Sequence, residues 1–268
     1  MKPDHDYKTV NKATWNAKTE AHLTSDFYNV EGFLNGNSSL NSIELGLLGD
    51  VKGKKILHLQ CHFGQDSLSL ARLGSQVTGV DLSNVAIKNA ERLANQLELN
   101  TTFICCDLYD LPNHLDDTFD VVYTSYGTIG WFPDLDKWAK LISKFLKPQG
   151  EFIFVEFHPV VWMFNDAFDK IEYSYFKSDA IIETETGTYA DRSADIINKS
   201  ITWNHSLGEV LTALLQNNLQ LQSFEEFDYS PYDCFSNTVE MNSKQFRIAH
   251  LDSKLPMVYA LKALKKQC

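Results

Sequence analysis

Between residues 55 and 157 the chain alternates short apolar runs with helical patterns, and this constrains the fold more than any other feature. "KILHL" (55–59), "QVTGVD" (76–81), "TFICCD" (102–107), "FDVVYTS" (119–125) and "EFIFVEF" (151–157) read as strands, being β-branched or aromatic and bounded by turn residues. "DSLSLARLG" (66–74) reads as a helix with Gly74 at its C-cap. Ser83 is placed to cap a helix whose apolar face is Ile87, Ala90, Ala94 and Leu97. Leu135, Trp138, Leu141, Ile142, Phe145 and Leu146 form the clearest helical stripe. "KPQG" (147–150) is expected to stop that helix, because Pro148 cannot continue it and Gly150 permits a turn. The strands are continuously apolar rather than alternating, which predicts an α/β fold with a parallel sheet covered by helices on both faces. Its crossovers should be right-handed.

The flanks read differently. Residues 1–50 suggest a helical cap, with a helix around "ATWNAKTEAHL", a loop at "NGNSSLNS" (35–42) and a short helix in "IELGLLGDVKG". Residues 51–157 form the core. Residues 158–204 carry "IEYSYF", "AIIETETGTYA" and "NKSITWNH", which suggest an inserted antiparallel excursion. Residues 205–268 then return to the core: "SLGE" (206–209) is a capping box. It opens a helix with Leu207, Val210, Leu211, Leu214 and Leu215 on one face. "LQLQSFEEFD" (219–228) and "PMVYALKAL" (256–264) read as the last two strands of a single domain.

Composition narrows the partners. The formal net charge is −11, and the Lys/Arg residues form no cluster beyond pairs such as Lys54-Lys55 and Lys265-Lys266. Neutralising phosphates requires a basic face, so nucleic acid and anionic membranes are not the expected partners. The apolar run "FIFVEFHPVVWMF" (152–164) is too short to span a bilayer and is broken by Glu156, His158 and Pro159. The polar start "MKPDHDYKTV" lacks a signal-peptide core. With the 5 cysteines (Cys61, Cys105, Cys106, Cys234 and Cys268) read as free thiols, this predicts a cytoplasmic protein.

In an open α/β sheet, ligands bind beyond the carboxyl ends of the strands. Here those ends carry His58 to Gly64, Asp81, Asp107, Ser125 and Tyr126. An acid after the second strand is placed to accept from ribose hydroxyls, and one after the third to accept from an adenine amino group. Either acid alone is also an ordinary helix cap or turn residue. His58, Cys61 and His62 have metal-ligand side chains, but no second Cys or His cluster completes four ligands, so no metal is expected. An NAD site would need the loop glycines for its pyrophosphate, and only Gly64 is present.

The order "ILHLQCHFG", "VTGVDLS", "FICCDLYDLP" and "FDVVYTSYGTIGWFPDLDKWAKLISKFLKPQGEFIFVEF" resembles the class I S-adenosylmethionine-dependent methyltransferases. It looks closest to a bacterial group with "HLQCHFGQD" in place of the usual Asp-x-Gly-x-Gly-x-Gly loop. The class motifs cover residues 55–157, where His58 stands for the usual acid and Gln60 and His62 for the first two glycines. The resemblance implies a Rossmann-like seven-stranded sheet in the order 3-2-1-4-5-7-6 with the last strand antiparallel. It implies that Gln60, Cys61, His62, Phe63 and Gly64 line the methionine and ribose part of S-adenosylmethionine. Asp81 with Leu82 would hold the ribose, Asp107 with Leu108 the adenine, and Ser125 and Tyr126 would close the site near the methyl group.

Of the aromatic residues Trp15, Tyr28, Phe63, Tyr126 and Trp131, we expect Trp15 and Tyr126 to face the cationic sulfonium. His158 in "VEFHPV" and Tyr126 are the candidate catalytic residues, with Glu156 a weaker one. "TSYGTIGW" lacks the Asn/Asp-Pro-Pro-aromatic tetrad of enzymes acting on nucleic-acid bases. The expected reaction is methyl transfer to a small-molecule acceptor by a monomer or homodimer, with residues 1–40 and 158–204 as a lid. Two alternatives are a binder of S-adenosylmethionine or S-adenosylhomocysteine that transfers no methyl group, and a dimerisation arm at 158–204.

Overall fold

The computed structural model describes residues 6–267. The first five residues of the polar start, and the Cys268 thiol, lie outside them. Three helices come first: α1 (Tyr7–His22), α2 (Val30–Leu34) and α3 (Ser42–Leu48). The alternating region follows as β1 (Lys55–Leu59), α4 (Gln65–Arg72), β2 (Gln76–Asp81), α5 (Asn84–Gln96), β3 (Thr102–Cys105), β4 (Phe119–Ser125), α6 (Leu135–Phe145) and β5 (Leu146–Phe157). A hairpin of β6 (Ile181–Thr186) and β7 (Ile197–Thr202) precedes α7 (Leu207–Gln216) and β8 (Leu219–Phe227). A second hairpin, β9 (Thr238–Asn242) and β10 (Gln245–Ile248), precedes β11 (Val258–Lys265).

The main sheet is seven-stranded, in the order β3-β2-β1-β4-β5-β11-β8. Its first five strands run parallel, and β11 lies antiparallel between β5 and β8. Counting only the strands of this sheet, this is the expected 3-2-1-4-5-7-6. The apolar stripe of α6 packs on one face, with Trp138 fully buried against Phe152 and Phe154. Burying each such side chain contributes roughly 1.5–3 kcal/mol. Leu40, Leu48 and Leu70 cover the other face over Ile56, Tyr123 and Ile153.

Four local readings change. Lys147 to Gly150 do not separate helix from strand, because β5 begins at Leu146 directly after α6. Pro148 does end the helix, but its fixed φ also suits extended chain. The pairing with β4 jumps from Phe119–Leu146 to Val121–Glu151, so "KPQG" is accommodated as an irregularity in the register. In α7, Ser206 Oγ accepts from Glu209 N at 3.2 Å. The Glu209 carboxylate lies 3.1 Å from His205 Nδ1. Leu215 on α7 is 57% exposed, and the buried side chains are Val210, Ala213 and Leu214. "IEYSYF" forms only a bridge between Ile171 and Phe164, whereas β6 and β7 pair antiparallel as expected. The β9–β10 hairpin was not read in advance, because its turn at Lys244 (φ 56°) lacks the Asn-Gly signature of tight hairpins.

Candidate functional site

A cavity of about 1430 Å³ opens at the carboxyl ends of β1, β2 and β4, roofed by α1 and the β6–β7 hairpin. Every residue expected to hold the cofactor lines it: Trp15, Gln60 to Gly64, Asp81, Leu82, Asp107, Leu108, Ser125 and Tyr126. Single-ligand pockets usually occupy roughly 300–1,000 Å³, so there is room here for two bound molecules side by side.

The loop after β1 keeps the backbone of a glycine loop without the glycines. Gln60 and His62 adopt φ of 53° and 50°, and Gly64 adopts 83°. The left-handed region costs a non-glycine residue roughly 1–2 kcal/mol, so the surroundings must hold it. They do so through the side chains. Gln60 Nε2 donates to the Thr128 carbonyl at 2.8 Å. His62 Nε2 pairs with His22 Nδ1 on α1 at 2.9 Å, and its backbone N donates to Asp81 Oδ2 at 2.8 Å. Burial lowers His22 to about 3 and puts His62 well below its ordinary value, so both rings are neutral and one donates to the other. Gly64 is sterically required, since a Cβ there would lie 2.9 Å from Ala90 and Phe103. Cys61 and Phe63, at 4% and 1% exposure, serve mainly as core packing.

Asp81 accepts from Ser83 N through Oδ1 and from His62 N through Oδ2, both at 2.8 Å. It is not the helix cap. Ser83 caps α5, accepting from Ala86 N. Burial raises Asp81 to about 6, against the pull of these donors. Asp107 does cap the turn at Leu108–Asn113, accepting from Tyr109 N at 3.1 Å. Its Oδ1 also meets Lys8 Nζ of α1 at 2.7 Å. Leu108 is buried in the core, and Leu82 is half-buried beside Cys105.

Beyond β4, Tyr126 has φ 48° and its hydroxyl donates to Glu44 Oε2 at 2.7 Å. Glu44 belongs to α3, is fully buried, and caps the helix start by accepting from Asn41 N. Burial, with Asp66 nearby, pushes it up to about 7. Glu156 reaches the cavity too, but it is saturated. It accepts from the backbone N–H groups of Gly127, Thr128, Ile129 and Phe157 and from the Thr128 hydroxyl.

His158 is not among the residues lining the cavity. Its Nδ1 accepts from Val160 N at 3.2 Å and its Nε2 lies 2.9 Å from Glu226 on β8. The chain leaves β5 at Phe157 and turns the imidazole over the β8 edge, so this geometry does not support His158 as a base. Among the described residues, no group of three or more His, Cys, Asp or Glu side chains is arranged to hold a metal. His58 bonds Ser67 and His62 bonds His22, so the two rings are committed elsewhere.

The roof is built from two segments. Asn11 on α1 donates to the Ile201 carbonyl at 2.8 Å and accepts from Ile201 N at 2.9 Å, acting as a rung of the hairpin. Tyr28 and Tyr189 share a hydroxyl contact at 2.5 Å, and Lys18 lies 3.5 Å from Glu185. Trp15 stands edge-on to Trp131 and His62, each ring centre 5.3 Å away. Sequence reasoning missed Glu44, Asp66, Lys8 and His22. Only Asp66 had a local signal, lying in "HFGQD" at the start of α4.

Residues 56–150 match the methyltransferase domain family. The ubiquinone biosynthesis O-methyltransferase of Coxiella burnetii (strain RSA 493 / Nine Mile phase I) is 30% identical over 135 residues, covering 49% of this chain and 57% of that protein. A sterol 4-C-methyltransferase of Caenorhabditis elegans is 35% identical over 99 residues, covering 36% and 29%. The chain thus spans just over half the length of the first of these relatives. Among solved structures, a geranyl diphosphate C-methyltransferase from Streptomyces coelicolor A3(2), crystallised with S-adenosyl-L-homocysteine, superposes with a TM-score of 0.64. It is 15% identical, and the superposition covers 99% of this chain and 100% of that one. An S-adenosylmethionine-dependent methyltransferase from Mesorhizobium loti gives 0.57 at 20% identity, covering 86% and 99%. At these identities the likeness establishes the fold alone, the Rossmann-like sheet shared with these methyltransferases.

Proposed function

We propose that this chain is an S-adenosylmethionine-dependent methyltransferase with a small-molecule acceptor. The observation that carries the reading is the loop after β1. Gln60 and His62 take up glycine-like φ, their side chains bond to Thr128 and His22, and both residues line the cavity. Asp81 and Asp107 stand beside it at successive strand ends, where ribose and adenine would be held. Of the loop glycines that let a pyrophosphate lie close against the backbone, only Gly64 is present, which favours S-adenosylmethionine over NAD. The relatives named for ubiquinone biosynthesis and for a sterol support a small-molecule acceptor.

When bound, the cofactor supplies an electrophilic methyl group on a sulfonium. The protein's own work is then to align and dehydrate. Asp81, Asp107 and the loop backbone fix the adenosine end, and Trp15 and Tyr126 present aromatic walls to the cation. The roof of α1 and the β6–β7 hairpin excludes water, and holding acceptor and methyl in line supplies most of the acceleration. For an acceptor that must lose a proton, Tyr126 is the group in place. Its oxygen takes that proton while its own passes to the Glu44 carboxylate, which burial has made basic enough to receive it near neutral pH.

Screening small-molecule extracts for methyl incorporation from labelled S-adenosylmethionine tests the reading. An acceptor whose turnover falls roughly 10²–10⁴-fold in Glu44→Gln supports it. Cofactor binding with no transfer to any extract component would instead make the chain a binding module.

A further inference from the structure

The methionine end of the cavity holds a carboxylate on which Lys244 acts only at a distance. Asp66 projects from the first turn of α4 into the cavity, beside Ser39, Ser125 and Tyr123. It forms no ion pair with any described residue. The cavity's cations, among the described residues, are engaged elsewhere: Lys18 faces Glu185, Arg192 donates to the Phe235 carbonyl and Lys244 donates to Asn41 Oδ1. Glu44 lies close by and adds negative charge. His58, where the resemblance leads one to expect an acid, is buried, neutral and bonded to Ser67.

A second observation points to the same spot. The Tyr123 hydroxyl is fully buried next to Asp66 and Ser125, yet makes no well-formed hydrogen bond. A buried hydroxyl left in this way is costly, so a missing partner is the expected explanation. A primary ammonium group fits all of it. It brings one positive charge and three N–H donors, and it meets here the Asp66 carboxylate and the Ser125 and Tyr123 oxygens.

We propose that Asp66 binds the α-ammonium group of S-adenosylmethionine's methionine tail, with Ser125 and Tyr123 completing its hydrogen bonds. The assignment rests on the methyltransferase reading and adds to it a residue outside the strand-end motifs. Asp66 lies two residues beyond Gly64, so the tail runs along the loop backbone and ends at α4. Burial raises the Asp66 carboxyl above its ordinary range, against the pull of the Ser39, Ser125 and Tyr123 hydroxyls and, less, of Lys244.

The test compares two ligands by calorimetry. S-adenosylhomocysteine carries the amino-acid tail, whereas 5′-methylthioadenosine keeps only the adenosine thioether. Asp66→Asn should weaken S-adenosylhomocysteine about 10–100-fold, the effect of losing a charged hydrogen-bond partner. 5′-Methylthioadenosine should be unchanged within about 2-fold, which also shows that the variant is folded. Unchanged S-adenosylhomocysteine affinity would overturn the assignment, and is the result expected were an amine acceptor to supply the cation. Equal weakening of both ligands would overturn it as well, by reducing Asp66 to a support of the loop. Wild-type protein that binds neither ligand removes the methyltransferase reading itself, a failure distinct from that of Asp66.

Discussion

Asp81 and Glu156 are both carboxylates at the cavity, each beside a loop that follows a strand end, yet they are used differently. Glu156 collects four backbone N–H groups and a hydroxyl, which leaves it little capacity for a ligand. Three consecutive backbone N–H groups of its loop, Gly127 to Ile129, end on that side chain. Asp81 accepts only two backbone N–H groups, and its loop is held mainly by Gln60 and His62. One acid is consumed by the fold, and the other keeps acceptor capacity facing the cavity. The number of donors already satisfied, more than residue type or position, separates structure from function here.

The largest effect that tests this contrast is on stability. Glu156→Ala strands four buried N–H groups and should cost about 3–5 kcal/mol in denaturant unfolding. A loss below about 1 kcal/mol would show that the loop is held by something else. Asp81→Ala should do the reverse. It should weaken S-adenosylhomocysteine by about 1–3 kcal/mol and change stability by less than that. Unchanged affinity would remove Asp81 from the site.

A pH series sharpens the contrast further. Burial holds Glu44 at about 7 and Asp81 at about 6, above their ordinary values. Between those ordinary values and the raised ones, the folded chain binds more protons than the unfolded chain. These groups therefore stabilise the fold most at low pH, and their contribution falls as pH rises from roughly 4 to 7. Glu44→Gln should remove up to about 3 kcal/mol of that slope, read as melting temperature between pH 5 and 8. A slope identical to the wild type would show that Glu44 is not perturbed in solution. The smallest expected effect is that of Gln60→Gly. Relief of the left-handed strain offsets the lost bond to Thr128, so stability should shift by about 1 kcal/mol or less. Affinity should stay within about 3-fold, and a tenfold loss would mean that Gln60 touches the ligand itself.

Much of the fold was legible because its signals are local. Ser83, Gly74 and the apolar stripe from Leu135 to Phe145 each announce their element through capping or periodicity. The strand order came from resemblance, since pairing between distant strands leaves no local trace. The residues expected at the site do gather around one cavity, because strand ends are fixed by the same alternation. The misreadings fell where tertiary contacts decide. His158 is turned toward Glu226 by a strand far along the chain, and Glu44 reaches Tyr126 from a helix whose sequence explains it fully as a cap. No short-range pattern reports that a capping carboxylate has its second oxygen on a cavity tyrosine.

The central claim is that the altered loop still builds an S-adenosylmethionine site. Calorimetric titration of the chain with S-adenosylhomocysteine, NAD and ATP tests it most directly. The account predicts saturable binding of S-adenosylhomocysteine alone, weakened by Asp81→Ala. No binding of S-adenosylhomocysteine at ~100 μM, or tighter binding of NAD, would contradict it.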